Sequence, residues 1–206
     1  PGGDLYRRRD LGRACDRIQP HPRHLPRDGR SWAVQRLGRE KFWSLTQSHG
    51  SYSKARSLEA GNVKIDAMEP VIVRNNFFEE TSGWGLDMDD GASHYEIYNN
   101  ISKGISIKLR EGAYRTIYNN IWVDSNVAPC FHVGNEDNHD RYFRNITVMA
   151  RDDVYSIIAP PARGPWLEEI DNNCLFSKSG RFTARISQMR GENGPERGSR
   201  RLDFEE

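Results

Sequence analysis

The chain has 206 residues, 36% of them hydrophobic and 29% charged, and its 30 Lys and Arg against 29 Asp and Glu leave a formal net charge of +1. That composition suits one globular domain, and a charge so near zero excludes a whole-molecule field of the kind that gathers nucleic acid or anionic membrane. No stretch approaches the ~18 uninterrupted apolar residues that span a bilayer, so no membrane insertion is expected. Cys15, Cys130 and Cys174 are too scattered for a disulfide scaffold or a C-x-x-C site and are expected to be buried as small apolar residues.

From Pro1 to Glu40 the chain carries ten Arg and no Lys, with several Pro and no sustained apolar period of either strand or helix. Residues 1–41 are therefore predicted to be a poorly structured Arg/Pro-rich segment. A nucleic-acid arm is the functional counterpart of that reading, but Asp4, Asp10, Asp16 and Asp28 interrupt the charge and no aromatic spacing supports base stacking, so no nucleic-acid partner is expected. A reading-frame or assembly artefact is a third reading, prompted by a composition that stops abruptly before Phe42-Trp43-Ser44-Leu45. The start has no initiator Met, charged n-region or apolar h-region, so no signal peptide is visible.

Residues 42–189 carry a repeat. Val71-Ile72-Val73-Arg74-Asn75-Asn76-Phe77, Ile97-Tyr98-Asn99-Asn100-Ile101, Ile117-Tyr118-Asn119-Asn120-Ile121, Tyr142-Phe143-Arg144-Asn145-Ile146 and Ile170-Asp171-Asn172-Asn173-Cys174 share one pattern: apolar, any residue, Asn or Arg, Asn, apolar. The final Asn recurs at 76, 100, 120, 145 and 173, in steps of 24, 20, 25 and 28 residues. A period in the low twenties, rich in β-branched and aromatic residues and lacking an amphipathic helical stretch, predicts coils of short strands and turns. The predicted fold is all-β, a right-handed parallel β-helix of about five coils, truncated at both ends. Residues 190–206 are read as a polar loop and a cut C-terminal end. In such a solenoid Asn76, Asn100, Asn120, Asn145 and Asn173 form a column that hydrogen-bonds from coil to coil, satisfying the amides of a tight bend.

The same register aligns a second strand in each coil: Val63-Lys64-Ile65-Asp66, Leu86-Asp87-Met88-Asp89, Ile107-Lys108-Leu109-Arg110 and Phe131-His132-Val133-Gly134. Strand alternation turns Val63, Leu86, Ile107 and Phe131 inward as one column and Ile65, Met88, Leu109 and Val133 as another. The residues between them face out. Lys64, Asp87, Lys108 and His132 form one polar column, and Asp66, Asp89, Arg110 and Gly134 its neighbour, with Asp90 and Glu111 just past the strand ends.

Two carboxylates on adjacent coils, such as Asp66 and Asp89, would stand about 4.8 Å apart at the backbone, near the ~5–5.5 Å of retaining glycosidases. Mutual repulsion also raises one pKa, which keeps a proton for the leaving group. The candidate catalytic residues are thus Asp66, Asp87, Asp89, Asp90, Lys108 and His132. Trp84, His94, Arg110, Glu111, Glu136 and His139 are the candidate substrate-binding residues, Arg110 through its fork and Trp84 through a ring face. Asp87, Asp89 and Asp90 present the oxygens Ca²⁺ takes. A plain salt-bridge ladder is the structural alternative for the same charges.

The stretch Gly83-Trp84-Gly85-Leu86-Asp87-Met88-Asp89-Asp90-Gly91-Ala92-Ser93-His94-Tyr95-Glu96-Ile97-Tyr98-Asn99-Asn100, followed by Ile107-Lys108-Leu109-Arg110-Glu111-Gly112, resembles bacterial right-handed parallel β-helix proteins of the pectate-lyase-like superfamily. The resemblance runs from about Phe42 to Phe182. It implies a secreted or periplasmic protein whose partner is a polysaccharide or oligosaccharide, most simply a glycoside hydrolase without cofactor. The alternatives it implies are a polysaccharide lyase using Ca²⁺ or a glycan-binding solenoid without catalysis. Asp89-Asp90 is similar to the Asp pair of polygalacturonases, whereas Ile107-Lys108-Leu109-Arg110 reverses their Arg-x-Lys motif and Val133 follows His132 where they carry Gly.

Overall fold

The computed structural model describes residues 34–37, 64–65, 67–79, 84–89, 91–110, 112–132, 138–158, 166–187 and 199–203. In chain order its strands are β1 (Val34–Leu37), β2 (Val71–Arg74), β3 (Phe77–Glu79), β4 (Trp84–Asp89), β5 (Tyr95–Tyr98), β6 (Ile101–Lys103), β7 (Ser106–Leu109), β8 (Arg115–Tyr118) and β9 (Ile121–Ser125). They continue with β10 (Cys130–His132), β11 (Arg141–Phe143), β12 (Ile146–Met149), β13 (Asp153–Ile158), β14 (Glu169–Asp171), β15 (Cys174–Ser177), β16 (Thr183–Ser187) and β17 (Ser199–Asp203). Sheet I runs β1-β4-β7-β10-β13-β16-β17, sheet II β14-β11-β8-β5-β2 and sheet III β15-β12-β9-β6-β3. Every described pairing is parallel except β16 with β17. The fold is a right-handed parallel β-helix of about four turns. The count falls one below expectation because five ladder Asn residues bound four intervals.

The ladder forms as predicted. The Asn76 side-chain amide donates to Asn100 Oδ1 at 3.0 Å, Asn100 to Asn120 at 2.9 Å, Asn120 to Asn145 at 3.0 Å and Asn145 to Asn173 at 3.2 Å. Each Oδ1 also accepts the backbone N–H of the preceding ladder residue. The residue before each ladder Asn takes left-handed backbone, with φ of 53–56° at Asn75, Asn99, Asn119, Arg144 and Asn172. Asn tolerates that conformation; Arg does not, at a cost of ~1–2 kcal/mol. Arg144→Asn relieves it and gives up only a loose guanidinium contact 5.8 Å from the Phe143 ring, worth ~0.5 kcal/mol. A rise of about 1 kcal/mol in urea-unfolding free energy is expected, and a lower urea midpoint would contradict the account.

Inside, Leu86, Ile107 and Met88, Leu109 stack as predicted, with Leu86 opposite Ile107 and Met88 opposite Leu109. All four are buried, as are Ile97, Ile117, Trp122 and Tyr142. Gly85 is required by close approach: a Cβ there would fall 1.6 Å from Cδ1 and 3.1 Å from Cβ of Ile105. The residue after each ladder Asn faces outward instead, with Phe77, Ile101 and Ile146 exposed.

Four expectations change. Lys64 and Ile65 are helical and Ile65 is exposed, so they form no strand of sheet I; the helix is over by Ala67, three residues before Pro70. The strand beside β4 is β1, which lies within the Arg/Pro-rich segment and sets Gln35 opposite Asp87 and Leu37 opposite Asp89. Phe131 pairs with Leu109, two residues on from the expected Ile107, so Cys130 and not His132 stands beside Lys108. A two-residue slip preserves which side chains face in, and Phe131 remains buried against Tyr142 at 5.2 Å. Cys174 is exposed, because it occupies the outward column after a ladder Asn, while Cys130 is buried; Cys15 lies outside the described residues.

Candidate functional site

β4 and β7 place four charged side chains on the outer face of sheet I, and the strands' alternation decides which. Asp87 and Asp89 flank inward Met88 on β4; Lys108 lies opposite Asp87, and Arg110 follows inward Leu109 at the end of β7. Lys108 Nζ sits 2.7 Å from Asp87 Oδ1 and 3.2 Å from Asp89 Oδ1. Arg110 Nη1 donates to Asp89 Oδ1 at 3.0 Å. One ammonium therefore bridges two carboxylates, holding their oxygens within about 6 Å of each other, closer than the ~6.5–9.5 Å of inverting glycosidases.

The two acids meet different surroundings. Asp87 is 3% exposed, and burial raises its carboxyl above the ordinary Asp value of 3.8 despite the Lys108 ammonium. Burial acts on Asp89 in the same sense, but the hydrogen bond from Arg110 and the charges of Lys108 and Arg110 outweigh it, and its carboxyl lies below 3.8. The two carboxyls are thus displaced in opposite directions, Asp87 toward the protonated form and Asp89 toward the ionised one. Trp84, at the start of β4, has the Lys108 ammonium 5.1 Å from its ring centroid.

Trp84, Asp87, Asp89, Lys108 and Arg110 are thus brought together. His132 lies on β10 beyond the position facing Lys108. His94 and His139 stand elsewhere, in the turns that precede β5 and β11 of sheet II. Asp66, Asp90, Glu111 and Glu136 lie outside the described residues. The position beside Asp89 on the neighbouring strand belongs to Leu37, so the carboxylate pair expected from Asp66 and Asp89 is replaced by Asp87 and Asp89 on one strand.

The donor set fits Ca²⁺ poorly at Asp87 and Asp89, because Lys108 Nζ already holds the place between them. Among the described residues no three His, Cys, Asp or Glu side chains converge as a metal site.

Sequence reasoning missed a second buried charge pair. Arg115 Nε donates to Asp140 Oδ1 at 3.0 Å and to Oδ2 at 3.2 Å, and Nη2 reaches Oδ2 as well. The Arg115 guanidinium also donates to the backbone carbonyl of Arg110, fixing the end of β7 from which Arg110 reaches Asp89. The signal was available, since Arg115 and Asp140 each lie five residues before a ladder Asn and so share one column.

Fold and site together define a parallel β-solenoid with a shielded carboxylate–ammonium cluster on its largest sheet. No family model matches the chain, and no match was found among curated proteins or solved structures.

Proposed function

We propose that this chain is a carbohydrate-active β-helix of the pectate-lyase-like kind, a glycoside hydrolase that cleaves polysaccharide by carboxylate acid–base chemistry. One observation carries the reading: two carboxylates bridged by a single ammonium have environments that drive their proton affinities apart, which is how one site keeps an acid and a base at the same pH. Asp87 is the protonated partner that supplies the leaving group's proton. Asp89, ionised and more open to solvent, is the base or nucleophile, and Arg110 fixes its orientation.

Asp87→Asn and Asp89→Asn are each expected to lower release of reducing ends from a cleaved polysaccharide by roughly 10²–10⁴-fold. Rate should follow a bell, rising as Asp89 ionises below 3.8 and falling as Asp87 loses its proton above it. Undiminished turnover in both variants would sink the assignment. Chelation should leave the rate unchanged, because Lys108 supplies the positive charge a Ca²⁺-dependent lyase would take from metal.

The burial of Asp87 and Lys108 favours a second reading, a glycan-binding solenoid in which the cluster is structural. On that reading the wild-type chain binds polysaccharide without turnover, and Asp87→Asn lowers the melting temperature alone.

A further inference from the structure

A second polar surface lies over sheet II, away from the cluster on sheet I. A cavity of about 280 Å³ opens there, lined among others by His94, Glu96, Tyr114, Thr116, His139 and Arg141. That volume lies at the low end of small-ligand sites, ~300–1,000 Å³, and gives room for a mono- or disaccharide unit.

Its wall is built in an unusual way. His94, Tyr114 and His139 each lie six residues before a ladder Asn and so occupy the same place in successive coils. All three take left-handed backbone, with φ of 59°, 57° and 53°. Gly or Asn fills such a position at least cost, and the other left-handed column does use Asn at 75, 99, 119 and 172. Here three consecutive coils carry rings instead. Tyr114 and His139 stack with centroids 4.7 Å apart, Lys64 Nζ lies 3.9 Å over the Tyr114 ring, and His139 Nδ1 is 2.8 Å from Glu168 Oε2. The strained backbone of this wall is a feature that concentrates at binding sites.

The floor supplies the hydrogen-bonding groups. Glu96 on β5 is in register with Thr116 on β8, which is in register with Arg141 on β11. Arg141 is held by Glu169, with Nε 2.8 Å from Oε2. The Glu96 carboxylate and Thr116 hydroxyl make no hydrogen bond or ion pair among the described residues. Lys64 and Glu96 are opposite in charge, Arg141 is paired with Glu169, and Glu168 adds a further carboxylate. A uronate would meet the unpaired Glu96 carboxylate, whereas a neutral sugar offers it hydroxyl donors.

We propose that this groove over sheet II binds a neutral oligosaccharide, Glu96 and Thr116 taking its ring hydroxyls, at a site separate from Asp87 and Asp89. The test titrates the full chain with cellohexaose, xylohexaose and mannohexaose, and with hexagalacturonate as the charged comparison, followed by calorimetry in the cold over times too short for turnover. At least one neutral hexasaccharide should bind more tightly than hexagalacturonate. Glu96→Gln should weaken that binding roughly tenfold, and Thr116→Val several-fold, with melting temperatures unchanged. Three results overturn the proposal: no neutral hexasaccharide bound at millimolar concentration, preference for hexagalacturonate, or binding that both substitutions leave intact. Binding is read without turnover, so failure here leaves the hydrolase test standing, and failure of the hydrolase reading leaves this one standing.

Discussion

Arg115→Ala is expected to cost the fold about 3–5 kcal/mol, the largest loss for any single substitution at a charged position among the described residues. Arg115 is 1% exposed and Asp140 is 3% exposed. Burial pushes the Asp140 carboxyl up, and Arg115 opposes that shift through its guanidinium charge, a side-chain hydrogen bond and its backbone N–H, which donates to Oδ1 at 3.0 Å. Removing the guanidinium takes away the charge and the side-chain hydrogen bonds and leaves Asp140 shut from water with the backbone N–H of residue 115 as what remains of that opposition. It also strips the carbonyl of Arg110 of a donor, and Gly112, where a Cβ would fall 2.7 Å from the Ala92 carbonyl oxygen, leaves the adjoining turn no room for a compensating side chain. Replacing both partners by apolar residues, as in Arg115→Met with Asp140→Leu, removes the uncompensated charge and should recover most of the loss. Urea unfolding of the two single variants and the double decides it. If the double is as unstable as the sum of the singles, the pair is not the coupled unit described here.

What the sequence disclosed and what it hid follow from the repeat. The ladder was legible because Asn recurs at one place and a solenoid turns periodicity into a column. Its neighbour was not: the pattern "Asn or Arg" recorded a left-handed position whose meaning only backbone geometry gives, and Arg144 marks where the chain departs from the favoured residue. The pairing of Asp87 with Lys108 was legible from alternation. The first coil was not, because counting back from Asn76 assumes a constant loop length, and the strand that borders β4 comes from Val34–Leu37, far upstream. Pro129, which has no N–H to give, immediately precedes β10, and Phe131 pairs two places along; no pattern of apolar residues distinguishes that register from the expected one, since both keep Phe131 inside. His94 and His139 were grouped with the outer face of sheet I, whereas they stand in the turns leading into sheet II. Measuring their distance from the ladder Asn, as for Tyr114, would have put all three rings in a single column.

Asn120→Ala should cost about 2–4 kcal/mol, the sum of several buried groups left without partners at ~1–3 kcal/mol each, less whatever water can reach them. Asn120 is fully buried. Its amide donates to Tyr118 O at 3.0 Å, to Ile97 O at 2.9 Å and to Asn145 Oδ1 at 3.0 Å. Its Oδ1 accepts from both the backbone and side-chain nitrogens of Asn100. The substitution therefore breaks the chain of bonds in the middle and orphans groups on the coils above and below. Asn173, at the half-exposed end of the ladder, accepts from Asn145, donates to Tyr142 O and hydrogen-bonds the Tyr155 side chain, so Asn173→Ala should cost about 1–2 kcal/mol, less than at Asn120 because water reaches more of what is lost. Asn120→Asp should be worse than Asn120→Ala, because it keeps an acceptor for Asn100 but turns a carboxylate oxygen toward two carbonyls in a site closed to solvent. Urea midpoints in the order Asn173→Ala above Asn120→Ala above Asn120→Asp are the expected result. Equal losses at positions 120 and 173 would mean that the ladder follows the coil without holding it, and that the apolar column of Met88, Leu109 and Phe131 sets the stacking by itself.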